Sequence, residues 1–226
     1  MRIKLVFAAF LLPALFSAQE LFPVDEDVVI REQEELTPAV VIGRTTKEKY
    51  LLRPGAKLLG GQGVISTSLQ EGRPNGQELG SVVRVRKPFL VQDILLHVHS
   101  NHIPGCVGSV NFYRIEGKRE SFVDVLQKPI HFDIAVSDDP QPLDIRPDEP
   151  LLLEPGKYFI AFQVVGCDEK ALQAFLAKPE ADRPFWEMSM DFILHFKSSY
   201  RRNVALGEME PLPVNIGLAV KGVEYL

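Results

Sequence analysis

From Gly60 to the C-terminus the chain keeps switching side-chain polarity at every second residue, and this alternation limits its fold more than any motif does. In the run from Gly80 to Pro88, Val83 and Val85 stand opposite Val82, Arg84 and Arg86. In the run from Lys157 to Val165, Phe159, Ala161 and Gln163 alternate with Tyr158, Ile160, Phe162 and Val164. From Trp186 to Phe196 the apolar set is Trp186, Met188, Met190, Phe192, Leu194 and Phe196, with Glu187, Ser189, Asp191 and His195 opposite. Near the end, Val214, Ile216, Leu218 and Val220 alternate with Asn215, Gly217, Ala219 and Lys221. A period of two belongs to strands whose two faces meet different surroundings. Phe89–His99 and Val110–Ile115 add long apolar or β-branched runs, and 16 glycines with 17 prolines supply the turns between them. The expected fold is all-β, an antiparallel β-sandwich of jelly-roll type.

One helix interrupts this pattern. Asp168 is placed to cap it, Leu172, Phe175 and Leu176 form an i, i+3, i+4 stripe, and Pro179 ends it. It is expected as a short insert between two strands, directly after Cys167.

The N-terminus has the layout of a secretory signal peptide. Arg2 and Lys4 precede an apolar stretch, Leu5 to Phe16, that closes on Ser17 and Ala18. The stretch is well short of the ~20 residues a membrane span requires, and no other apolar run reaches that length. Cleavage is expected after Ala18, with export to the periplasm, the cell surface or the medium. Residues 19–57 read as a linker. An acidic block, 25–35, is followed by Ala39–Ile42, which suits one short strand, and then by Arg44, Lys47, Lys49, Arg53 and Lys57. The sandwich is expected over 58–226. Two cysteines in an exported chain favour one disulfide, Cys106–Cys167, closing a loop of about 60 residues.

A family resemblance rests on several segments in order: ELGSVVRVRKP (78–88), DILLHVHSN (93–101), VNFYRIEG (110–117), RPDEPLLLEPGKYFIAFQ (146–163) and SSYRRNVALGEMEPLPVNIGLAV (198–220). Together they resemble a β-sandwich domain of exported Bacteroidetes proteins that often follows a carboxypeptidase-regulatory-like domain. PAVVIG resembles the end of the linker that precedes it. The chain departs from that pattern at Met209, where the family usually has Trp, and at the insert over 168–178. The resemblance implies a fold and an exported setting; it implies no catalytic residue.

Chemical signatures are sparse. The formal charge of −5 excludes a cationic nucleic-acid binder. There is no nucleophile elbow, HExxH, phosphate loop, dinucleotide fingerprint or EF-hand loop, so no cofactor is expected, and GGQG (60–63) reads as a turn. Three places invite a ligand. His97 and His99, two apart on one strand, share a face and could reach one metal ion, with His102 folding back as a third ligand; because Ile94, Leu96 and Val98 claim the core face, the expectation is that these histidines are solvated. Asp138, Asp139, Asp144, Asp148 and Glu149 could offer oxygens to calcium, but Pro140, Pro142, Pro147 and Pro150 hold that loop extended, and a solvated loop is expected. Trp186 could stack on a sugar, but its alternating neighbours assign it to the core.

These readings favour a non-catalytic, exported interaction or structural module of the cell envelope, whose partner is an envelope protein or a glycan. The alternatives are a glycan- or ligand-binding module of a degradative system, which requires an open face with two exposed aromatics, and a hydrolase, which requires a deep pocket holding two acids or an acid and a histidine.

Overall fold

A computed structural model describes residues 47–63, 77–117, 121–184, 186–203 and 207–224. All of them belong to the compact unit Ile42–Leu226. Residues 1–18, where a signal peptide is expected, the acidic block and the strand expected at Ala39–Ile42 lie outside the described residues.

Fourteen strands and one helix follow in order among the described residues: β1 (Lys49–Leu52), β2 (Ala56–Gly63), β3 (Gln77–Val85), β4 (Phe89–Asn101), β5 (Cys106–Glu116), β6 (Ser121–Asp124), β7 (Ile130–Ile134), β8 (Gln141–Ile145), β9 (Leu151–Leu153), β10 (Gly156–Gly166), α1 (Glu169–Leu176), β11 (Met190–Phe196), β12 (Ser199–Asn203), β13 (Met209–Leu212) and β14 (Ala219–Glu224). They form two seven-stranded antiparallel sheets. The first runs β1-β14-β4-β11-β2, with β8 and β9 also on β4; the second runs β13-β12-β3-β10-β5-β6, with β7 also on β5. The expected all-β sandwich with one short helix is the fold.

The core lies between the sheets and follows the alternation. Ile94, Leu96 and Val98 of β4, with Met190 and Phe192 of β11, face Leu79 and Val85 of β3, Val110 and Phe112 of β5, and Ile160 and Phe162 of β10. Phe162 and Phe192 meet edge to face across the gap, ring centroids 5.4 Å apart, an arrangement aromatic quadrupoles favour. Gly80 allows β3 and β10 to approach: a Cβ there would lie 2.2 Å from the Ile160 carbonyl oxygen. The insert forms as expected. Asp168 accepts a hydrogen bond from the Ala171 amide at 2.9 Å, and Leu172 is buried, with Phe175 and Leu176 packed on the core.

Several expectations are corrected. β1 and the first residues of β2 fall before residue 58, inside the stretch read as linker. GGQG is the end of β2, not a turn. β11 begins only at Met190, because Met188 takes φ 61° in the turn before it, and Trp186 is 57% exposed rather than in the core. A register shift between Ile193 and His195 then reverses the rest of the pattern, so that His195 is buried and Phe196 is 63% exposed. β14 starts at Ala219, and the residues before it, from Asn215, are buried in a bend instead of alternating. β8 occupies part of the acidic, proline-rich stretch and pairs with β4.

No disulfide joins Cys106 and Cys167; both are free thiols. Cys106 is turned into the core, whereas Cys167 lies beyond the end of β10, past a register shift between Val164 and Gly166. Burial pushes the Cys106 thiol up to about 12.

Candidate functional site

The histidines are not assembled into a metal site. His97 and His99 stand on β4 between fully buried Ile94, Leu96 and Val98, as their spacing requires. His102 is engaged at both ring nitrogens, Nε2 with Asp138 Oδ1 at 2.9 Å and Nδ1 with the Trp186 carbonyl oxygen at 3.1 Å. His97 turns instead toward His195, ring centroids 6.3 Å apart. Here β11 has left β4, and the bend at Gly217 (φ 80°) enters the fork; a Cβ on Gly217 would sit 3.1 Å from His195 Nε2. His195 Nδ1 meets the Gly55 carbonyl at 3.1 Å, so that nitrogen carries the proton, since a carbonyl only accepts. Burial lowers the pKa of His97, and Lys57 and His195 lower it further. A cation is disfavoured beside the Lys57 ammonium, and among the described residues no group of three His, Cys, Asp or Glu side chains is placed to hold a metal ion.

The acidic stretch is likewise dispersed. Asp138 is held by His102, Glu149 pairs with Lys128 at 2.5 Å, and Asp144 lies in β8 opposite Leu95. Pro142 is accommodated because among the described residues β8 pairs only with β4, and a strand with one free side tolerates a residue that lacks an N–H.

A buried charge pair lies on the outer side of the second sheet. Glu78 and Arg202 are register partners on β3 and β12, and the Arg202 Nε donates to Glu78 Oε2 at 2.6 Å. Glu78 Oε1 accepts from Asn111 at 2.8 Å and from the Tyr113 hydroxyl at 2.7 Å. The guanidinium lies 4.3 Å from the Tyr113 ring centre and 4.5 Å from that of Phe122. Burial and the hydrogen bond to Glu78 push the Tyr113 hydroxyl well above its ordinary range. Every charge here is matched, and the cluster serves the fold.

Three cations without an ion-pair partner among the described residues gather at a recess of about 190 Å³ at the corner between β3 and β4, closed on one side by β1. Its apolar lining is Leu51, Val85 and Phe89, and its polar lining is Lys49, Tyr50, Arg84, Arg86, Lys87 and Glu224. The local sequence explains it. Alternation sends Val83 and Val85 inward and Arg84 and Arg86 outward, and Lys87-Pro88 then turns the chain into β4. Pairing of β1 with β14, Lys49 opposite Gly222 and Tyr50 opposite Lys221, brings a second basic run against the first. Tyr50 lies between two further cations, the Arg53 guanidinium at 5.4 Å and the Lys221 ammonium at 5.3 Å from its ring centre. Lys49 pairs with Glu224. Arg84, Arg86 and Lys87 are exposed, and among the described residues none has an ion-pair partner. On a chain of net charge −5 this is a concentrated field of the opposite sign, suited to holding an anion.

Sequence reasoning read these two basic runs separately, one as linker and one as the outward face of a strand. Their opposite-signed surroundings were visible; their meeting depends on β14 reaching β1 from the other end of the chain. The recess contains neither the pair of acids nor the acid and histidine that a hydrolase would need. Among the described residues no helix is long and apolar enough to cross a membrane. Comparison with protein-family models, curated proteins and solved structures finds no match to this chain.

Proposed function

We propose that the protein is an exported, non-catalytic interaction module of the cell envelope that holds an anionic partner at the basic recess. The observation that carries this reading is the set of unmatched cations, Arg84, Arg86 and Lys87, around Tyr50 on an otherwise acidic chain. Export is supported by the layout of residues 1–18 and by the resemblance to exported Bacteroidetes sandwich domains. Sequencing the mature N-terminus tests it: Gln19 is expected, and Met1 would remove the export reading. The docking surface is tested by titrating polyglutamate and polygalacturonate into the protein. Binding that falls with salt and is lost in Arg84→Glu/Arg86→Glu/Lys87→Glu is expected; absence of binding to either polymer at low salt overturns it.

A second reading, glycan binding, is favoured by one observation: Trp186 is exposed beside the His102–Asp138 pair. Its measure is quenching of the single tryptophan by neutral oligosaccharides, abolished in Trp186→Ala.

A further inference from the structure

We infer that the partner at the recess is an extended acidic peptide segment that adds as a strand to the outer edge of β1. This rests on the docking reading above and specifies its partner. β1 ends the order of its sheet: it pairs with β14 on one side, and among the described residues no strand covers its other side. An edge of this kind presents backbone N–H and C=O groups, the template that β-augmentation uses, here at Lys49 and Tyr50 ahead of the register shift between Tyr50 and Leu52. What singles β1 out from the other edges is its neighbour. Lys49, Tyr50 and Leu51, three consecutive residues of this edge, line the same recess as Arg84, Arg86 and Lys87.

The spacing of the charges fits the same occupant. Arg84, in β3, and Arg86, one residue past its end, are two residues apart, and in extended chain that separation is roughly 6.7 Å. A second extended chain carrying Glu or Asp at every other residue repeats its carboxylates at the same interval. A guanidinium binds a carboxylate through parallel N–H donors, so two such pairs fix the register of the incoming strand, while the main-chain bonds to β1 are indifferent to its sequence. Lys49 is already neutralised by Glu224, which keeps an empty edge from presenting a uniform row of charge. An isolated carboxylate or phosphate would satisfy the arginines but would leave the edge of β1 unused.

The experiment uses the full mature chain and three probes: a short capped peptide of alternating Glu and Thr, the same peptide N-methylated at alternate residues, and polygalacturonate. Affinity is read by calorimetry, and pairing by amide hydrogen exchange over residues 49–52. The expected result is salt-sensitive binding of the first peptide, weakened at least about tenfold in Arg84→Glu/Arg86→Glu and at least about tenfold by N-methylation, with slowed exchange at 49–52 on binding. Both arginines are exposed, so the variant is expected to retain the wild-type circular dichroism and thermal midpoint. If the N-methylated peptide binds as well as its parent, or if polygalacturonate binds and the peptide does not, strand addition is overturned while the basic recess remains a docking site. If no probe binds, both readings fall.

Discussion

Arginine occurs in two opposite settings in this molecule, one on the outer side of the second sheet and one at the end of β3, where the chain turns from that sheet into the first. Arg202 is buried, shares a carboxylate with Asn111 and Tyr113, and lies against three aromatic rings. Arg84 and Arg86 are exposed, have no ion-pair partner among the described residues, and stand beside an open strand edge. Taking Arg202 out of water is costly, and only a complete set of partners offsets that cost. Arg84 and Arg86 keep their water and lose little by lacking partners, so they remain available for another molecule. Charge that is matched inside the chain holds the fold, and charge that is unmatched at the surface is free for recognition.

The comparison predicts a large difference between the two sites. Glu78→Ala leaves Arg202 buried without its carboxylate and strands the Asn111 and Tyr113 donors, so it is expected to cost about 3–5 kcal/mol, read from the urea midpoint. Replacing both charges, Glu78→Leu with Arg202→Met, should recover much of that loss. A Glu78→Ala protein within about 1 kcal/mol of wild type would break the contrast.

Cys106 extends the same reasoning to reactivity. With its thiol pushed to about 12 by burial, its thiolate fraction at mildly alkaline pH should be about a thousandfold below that of a free cysteine. Native protein should therefore be labelled at Cys106 only as fast as it unfolds, followed by mass spectrometry of the labelled peptide. Rapid native labelling would mean that the core opens at that strand.

His97 is the intermediate case, partly buried beside Lys57 and His195. Its pKa is lowered on folding, so below about 6.5 the unfolded chain binds more protons than the native one, and stability falls as pH falls through that window. His97→Gln should flatten the fall. Equal slopes in denaturation midpoints from neutral to mildly acidic pH for the two proteins would exclude this origin.

The smallest effect is expected at the recess. Arg84→Gln/Arg86→Gln/Lys87→Gln should change stability by no more than about 0.5 kcal/mol, in the stabilising direction at low salt because repulsion is relieved. A loss of several kcal/mol there would show that the recess belongs to the fold after all.

The sequence made the strands that run through the core legible, and it did so through side chains that must alternate. Val83 and Val85, Leu96 and Val98, Ile160 and Phe162 could be read directly. What alternation could not reveal was its interruption. Met188 in a left-handed conformation and the register shift before His195 reverse the assignment of Trp186, His195 and Phe196 without any change in composition. Pro142 hid β8, because a proline is compatible with a strand only when its missing N–H faces no partner, and that depends on which edge is free. The Glu78–Arg202 pair and the recess join residues far apart in the chain. No local spacing signals such contacts; they follow from the order of strands in the sheets.

That order has a further implication, for the time at which the protein becomes itself. β14 is the last strand among the described residues, and it sits between β1, the first, and the long β4. A ribosome that has made everything up to Pro213 has therefore produced a chain whose first sheet is still missing an inner member, with one side of β4 bare from Phe89 to Leu95. Pairings between such distant segments are slow to find, and an unpaired side is sticky while it waits. The closing step must wait until β14 has been made. Deletion of β14 would therefore give a protein that aggregates instead of one that is merely shorter.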